Sequence, residues 1–328
     1  MKSFVYVLSC HILLNFIIFY FFDYLKNKIN VYDYPDNKKK LHKNPIPLMG
    51  GWIFLFNLLL FLIIKNLSLS NLETNIILCS SSFLLIGILD DKYNLSPYSK
   101  FLSLTILLVL FFSFNKSMVI NNLEIYDYNI YLNQNIGFFF SVLCVLLFVN
   151  ALNLFDGINL QSSLYGIYFL LFLLYKNLFI EIIIIIIVPL LLIIYLNNKN
   201  KVFMGDSGTL FLGSIISLFV IANYTTTNLL KVDEIFLIMF LPGVDMLRLF
   251  IQRALNRKNP FMGDREHLHH YFLELFGYKI SILSIMIISI LPQLLNSFFD
   301  SKYIIVFFIL LYLFLFTYLK KKLDKKII

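Results

Sequence analysis

The chain has 328 residues, of which 59% are hydrophobic and 14% charged, and a mean hydropathy of +0.81. A soluble domain of this length cannot bury so much apolar side chain, so the composition predicts an all-α polytopic membrane protein. The formal charge of +8 is not a nucleic-acid footprint, because the lysines flank apolar runs, the pattern of topology signals and of contact with membrane lipids.

In chain order, about eleven transmembrane helices are predicted, near residues 4–22, 48–64, 74–89, 101–115, 136–149, 160–175, 178–196, 208–222, 235–252, 281–298 and 303–319. The first resembles a signal sequence. It is long, lacks a small-residue cleavage site and leads into further spans, so it reads as a retained helix. Several runs are shorter than the ~20 residues of a perpendicular span, so those helices must begin inside their polar flanks. Cys10, Cys79 and Cys144 all lie in apolar runs and imply neither a disulfide frame nor a zinc spacing. Residues 116–135 alternate through Ile120, Leu123, Ile125, Tyr126, Ile130 and Tyr131, which predicts a small periplasmic β-hairpin. No repeat or second domain is visible, and residues 1–328 read as a single membrane domain.

Most of the 27 Lys and Arg residues fall in alternate loops and in the C-terminal tail. By the positive-inside rule that side is cytoplasmic, with the N-terminus outside and the C-terminus inside. Every chemically suggestive cluster then lies at the cytoplasmic end, which predicts cytoplasmic active-site loops.

Asn150, Asn153 and Asp156 are spaced i, i+3 and i+6, one face if the segment is helical, and Gly157 and Asn159 follow. Amide and carboxylate groups beside hydrocarbon cost free energy unless partnered, so this segment reads as a polar site, with plain helix capping as the alternative. Asp90-Asp91 ends an apolar run. Acids there oppose the helix dipole and, being adjacent, favour a divalent cation or a shared proton. Gly205-Asp206-Ser207-Gly208 precedes another run. It suits a metal–phosphate site better than a serine-protease nucleophile, although Ser207 could serve only as an N-cap. Arg265, His267, His269 and His270 cluster as an anion site; zinc is disfavoured because His-Glu-x-x-His spacing is absent. Lys40 and His42 lie in a basic stretch leading to Pro45 and Pro47, readable as a topology anchor or a phosphate contact. Asp245 and Arg248, one turn apart, read as a buried ion pair bracing the ninth run. Carboxylates for a metal and bases for phosphates, beside lipid, suggest phosphoryl chemistry on a lipid-borne substrate.

These motifs resemble the polyprenyl-phosphate N-acetylhexosamine-1-phosphate transferases, closest to the bacterial branch that starts O-antigen, teichoic-acid and enterobacterial common antigen chains. The resemblance spans nearly the whole chain in family order: Lys40-x-His42 through Pro47 to Gly50-Gly51, Asp90-Asp91, Asn150-x-x-Asn153-x-x-Asp156-Gly157, Phe203-Met-Gly-Asp206-Ser-Gly, Pro242-x-x-Asp245, and Asp264-Arg-x-His267-x-His269-His270. It implies an inner (cytoplasmic) membrane enzyme that moves N-acetylhexosamine 1-phosphate, by default GlcNAc 1-phosphate, from a UDP-sugar to undecaprenyl phosphate, releasing UMP. It further implies Mg²⁺, with Mn²⁺ as a substitute, and allows a homodimer. By matching positions, Asp206 and Asn153 would ligate the metal, and Asp90, Asp91 and Asp156 would be catalytic. Lys40, His42, Asn150, Asn153, Asn159, Arg265, His267, His269 and His270 would bind substrate. Two positions depart from the family pattern. Asn159 stands where many bacterial members have a second aspartate, and Leu48 where an arginine is usual. The rival readings are a transporter or flippase, which would spread polar groups through the midplane, and an intramembrane zinc protease.

Overall fold

The computed structural model describes residues 2–35, 44–64, 69–126, 128–257 and 266–327. Every apolar run read from the sequence is helical. In order the helices are α1 (Lys2–Tyr20), α2 (Phe22–Ile29), α3 (Gly50–Ile64), α4 (Asn71–Tyr93), α5 (Pro97–Phe114), α6 (Gln134–Phe155), α7 (Gln161–Tyr175), α8 (Ile180–Asn198), α9 (Gly205–Thr226), α10 (Val232–Ile238), α11 (Phe240–Leu255), α12 (Leu268–Phe276), α13 (Tyr278–Leu295) and α14 (Ser301–Ile327). Among the described residues, eight of these are long and apolar enough to cross a bilayer, and α3 and α7 are shorter apolar helices. The predicted ninth span is not one helix. It breaks at Met239 between α10 and α11.

Local chemistry sets the helix ends. Ser70 and Glu73 form a capping box at α4, with Ser70 N donating to Glu73 Oε2 at 2.7 Å and Glu73 N to Ser70 Oγ at 3.2 Å. The far end of α4 stops at Asn94, whose φ of 51° lies in the left-handed region that asparagine tolerates. Ser96 caps α5 and Pro97 occupies its first turn. The short link makes α4 and α5 an antiparallel hairpin, so the first turn of α5 faces the last turn of α4.

Helix α9 is the axis of the bundle, buried without a break from Ser207 to Asn223. It packs against α3, α4, α6 and α7. The α4 and α9 backbones approach closely at Gly87 of α4, where a methyl group would lie 2.6 Å from the Ser207 nitrogen and 2.9 Å from the Asp206 carbonyl carbon. Only glycine permits that approach. Ser214 and Ser217 return their hydroxyls to carbonyls of α9 itself, so the helix can be polar in sequence yet sealed in packing.

Two small sheets sit at opposite ends of α9. At its start, β1 (Tyr32–Asp33) pairs antiparallel with β2 (Ile46–Pro47), and Leu48 bridges to Phe203 just before α9. At its finish, β3 (Asn122–Ile125) and β4 (Tyr128–Tyr131) form the hairpin expected from alternation. Tyr224 anchors that hairpin: its hydroxyl donates to Asn122 O at 2.9 Å and accepts from Glu124 N at 3.0 Å.

Candidate active site

The end of α9 nearest β1 and β2 opens into a cleft of about 670 Å³. Asp90, Asp91, Asn153, Asp156, Gly157, Asn159 and Asp206 line it, together with Leu48, Asn197, Asn200, Phe203 and Tyr278. Residues remote in sequence thus converge because α4, α6 and α9 end at the same level.

The two adjacent acids of α4 have different partners. Asp91 faces the start of α9. Its Oδ1 accepts from Asp206 N at 2.8 Å, and its Oδ2 accepts from Ser207 N at 3.1 Å and Ser207 Oγ at 2.5 Å. It therefore caps α9 from another helix, where a negative charge is favoured by the exposed amides and the helix dipole. Ser207 is consequently not the N-cap that the sequence left open; its hydroxyl is a donor to Asp91. Gly205 adopts φ +70°, and a methyl there would lie 2.7 Å from Asp91 Oδ2.

Asp90 instead faces the cleft. Its Oδ1 accepts from Leu95 N at 2.8 Å, and its Oδ2 pairs with Lys100 Nζ at 2.8 Å. The same ammonium pairs with Asp206 Oδ2, so Lys100 bridges carboxylates on two helices. Asp206 Oδ1 accepts from Asn153 Nδ2 at 3.0 Å, and that amide also donates to Thr209 Oγ1 at 2.8 Å. These are charge-assisted bonds in a partly buried site, the stronger class. Sequence reading treated Lys100 as a topology lysine. Its place ten residues after Asp90, in the first turn of a helix starting at Ser96-Pro97, was the available signal.

Asp156 is not on the shared helical face expected from its spacing. Helix α6 ends at Phe155, and Asp156 is its C-cap, turned to accept from Ser162 Oγ. Burial pushes its carboxyl up to about 6, opposed by the Ser162 hydroxyl and reinforced by the charge of Asp206. Asn150 stays in its own helix, donating to Leu146 O at 2.7 Å, and does not line the cleft. Asn159 donates to Asn200 Oδ1 at 2.5 Å, and Tyr278 Oη donates to the Asn159 carbonyl at 3.2 Å.

The histidines stand behind the cleft wall. His267 and His269 stack with centroids 5.3 Å apart and planes 6° apart, and His270 lies 4.2 Å from His269. His269 is 1% exposed, and its Nε2 fills the space that a side chain at Gly157 would need. Gln161 Nε2 lies 3.3 Å from His269 Nδ1. Burial holds the His269 imidazole well below the usual histidine range, with the neighbouring imidazoles adding to the effect, so it is a neutral post and not a cation. Asp245 and Arg248 form the expected ion pair, at 3.0 Å. Lys40, His42 and Arg265 lie outside the described residues.

The donor set suits a hard divalent cation in kind. Asp206 presents its carboxylate beside the Asn153 amide in a cleft with room for phosphates, and Mg²⁺ typically takes one or two protein carboxylates and leaves its other positions to water and substrate. Among the described residues, no group of three His, Cys, Asp or Glu side chains forms a closed metal cage.

Fold and site together define a multi-pass membrane protein with a carboxylate-lined cleft at one end of its bundle. The sequence profile of glycosyl transferase family 4 matches residues 74–224, the segment that carries most of the cleft. The chain is similar to a probable undecaprenyl-phosphate N-acetylglucosaminyl 1-phosphate transferase of Bacillus subtilis, at 27% identity over 80% of this chain and 75% of the relative. It is 27% identical to an undecaprenyl-phosphate alpha-N-acetylglucosaminyl 1-phosphate transferase of Thermotoga maritima, over 82% of each chain. It is 31% identical to a phospho-N-acetylmuramoyl-pentapeptide-transferase of Dictyoglomus turgidum, over 72% of this chain and 77% of the relative. The chain belongs to glycosyl transferase family 4.

Proposed function

We propose that this protein transfers an N-acetylhexosamine 1-phosphate from a UDP-sugar to undecaprenyl phosphate, at the cytoplasmic face of the inner membrane, starting a cell-envelope glycan. In this reading its chain crosses the membrane about eleven times. One observation carries it: Asp90 and Asp206, which line a large cleft, share the Lys100 ammonium between them, at one end of a bundle of helices long and apolar enough to cross a bilayer. The two acids outweigh the ammonium they share, so such a cleft can admit two phosphorylated substrates only with a further cation to balance their charge. The relatives' names indicate the acceptor, a polyprenyl phosphate, and leave GlcNAc as the default sugar among N-acetylhexosamines.

In the transfer, an oxygen of the acceptor phosphate forms a bond to the β-phosphorus of the UDP-sugar. The bond from that phosphorus to the bridging oxygen breaks, and UMP leaves with the electron pair. Asp90, which faces the cleft with Lys100 on its Oδ2, is the carboxylate placed to orient the acceptor or take its proton, whereas Asp91 is committed to capping α9. Lys100 holds Asp90 and Asp206 in place as the phosphates approach. Asp206 and Asn153 would hold Mg²⁺, with Asp156 supporting them. When bound, that ion neutralises charge between two anions that otherwise repel. Asn159, Asn197 and Asn200 give the opposite wall a neutral, hydrogen-bonding character suited to the uncharged part of a nucleotide sugar.

The test is UMP release by purified protein with undecaprenyl phosphate and a panel of UDP-N-acetyl sugars, with Mg²⁺ or with EDTA. Lipid-dependent UMP from one sugar, lost in EDTA and lost in Asp206→Ala protein that still inserts, is the expected result. Full turnover by Asp206→Ala would sink the site assignment. Folded wild-type protein that releases no UMP from any sugar would overturn the transfer reading.

A further inference from the structure

A second polar network lies behind the cleft and takes no direct part in it. Asp245 on α11 is 3% exposed and has both oxygens engaged. Its Oδ1 accepts from Tyr312 Oη at 2.6 Å, Arg248 Nη2 at 3.0 Å and Leu268 N at 3.3 Å. Its Oδ2 meets His267 Nδ1 at 2.8 Å. Tyr312 comes from α14, far along the chain, and its hydroxyl also accepts from Arg248 Nε at 2.7 Å. Arg248 in turn donates to the Glu266 carbonyl at 2.6 Å and lies 4.0 Å over the Phe316 ring. A brace for one helix would need only the ion pair. Here three elements converge on one carboxylate, and its remaining oxygen is aimed at an imidazole.

We infer that Asp245, held by Tyr312 and Arg248, is a positioning residue of the cleft: it fixes the Nδ1–H tautomer and ring plane of His267, and through the histidine stack the wall at Gly157. The inference rests on the transfer reading above. A carboxylate has only acceptors, so the His267 nitrogen facing it must carry the proton. Whenever the ring is neutral its other nitrogen is then a bare acceptor, as in carboxylate–histidine pairs generally. His267 stacks on His269, and His269 Nε2 packs where a Gly157 side chain would stand. Gly157 lines the cleft. A shift at Asp245 is therefore passed to the cleft by packed rings, without a contact to substrate.

The decisive variant is Asp245→Asn. Arg248, Tyr312 and Leu268 N all supply donors to one oxygen, so an amide keeps its oxygen there and turns its NH₂ toward His267. His267 must then accept at Nδ1 and carry its proton on Nε2. Nitrogen-15 spectra of histidine-labelled protein in detergent, assigned with His267→Gln, read this tautomer directly. The expected result is a switch from Nδ1–H to Nε2–H. With it comes a loss of roughly 10-fold or more in kcat/KM for UMP release, the scale of one charged hydrogen bond, while the thermal midpoint stays near that of wild type. Tyr312→Phe deletes one hydroxyl and leaves the Asp245–His267 pair; it should keep the wild-type tautomer and lose about threefold. An unchanged tautomer in Asp245→Asn overturns the inference, as does a switched tautomer with wild-type turnover. If Asp245→Asn fails to fold, unchanged kcat/KM in Tyr312→Phe overturns it. Should wild type release no UMP from any sugar, the transfer reading fails, and the tautomer alone decides the network.

Discussion

Leu160 adopts φ 69° and ψ −17° at the start of α7, a left-handed conformation in which a bulky side chain is strained. It follows Asn159 directly and is held there by Asn197, whose Oδ1 accepts from Leu160 N at 2.6 Å while its Nδ2 donates to Val202 O at 2.6 Å. One amide thus ties the strained turn after Asp156 to the segment that leads into Asp206. Strain kept at a cleft by a buried clamp is the arrangement expected where local geometry matters more than local stability. Leu160→Gly should therefore raise unfolding free energy by about 1 kcal/mol, read as a higher thermal midpoint in detergent. An unchanged or lower midpoint would show that the leucine packs well enough to offset its backbone.

Among elements, the contact between α4 and α9 decides where the acids meet. Gly87 lets the two backbones touch one turn before Asp90 and Asp91. Gly87→Val should cost about 1–3 kcal/mol by overpacking and should displace Asp91 from the first turn of α9; a melting curve and a turnover assay check both. The helices themselves were legible in the sequence because apolar runs need no partner to declare themselves, and the hairpin was legible from alternation. The break at Met239 was not, since hydropathy is continuous across it. At the site, Asp90, Asp91, Asn153, Asp156, Asn159 and Asp206 were legible as costly polar groups beside hydrocarbon, and the structure gathers them. Asn150 follows the same spacing, yet it spends its amide on its own helix. Lys100, Asn197, Gln161 and Tyr312 were silent because their roles arise from tertiary pairing, which no local spacing encodes.

For the molecule as a whole, the buried imidazole of His269 makes stability depend on pH. Its folded pKa is depressed by burial, with His270 and His267 adding and Asp245 opposing, whereas in the unfolded chain it takes a value near ~6.5. Between those values the unfolded state binds the extra proton. Stability contributed above ~6.5 is thus lost as pH falls toward the folded value, by at most ~1.4 kcal/mol per pH unit. Asp156 has the opposite sign, since its raised pKa favours the folded state as pH falls through about 6. Comparing thermal midpoints of wild type and His269→Phe from pH 7.5 to 5.5 isolates the histidine: the variant should lose less stability on acidification. Equal losses would mean that His269 takes up its proton without unfolding.

Helix α9 has a consequence of another kind. Its 22 residues span roughly 33 Å at 1.5 Å per residue, about the thickness of the hydrocarbon layer. The cleft lies at one end, the Tyr224-anchored hairpin at the other, and the helix between them is packed shut. Along α9 the described residues leave the two ends of the bundle separated by packed side chains. On the transfer reading proposed above, a lipid-linked product joined at the cleft finds no route along this axis to the hairpin end.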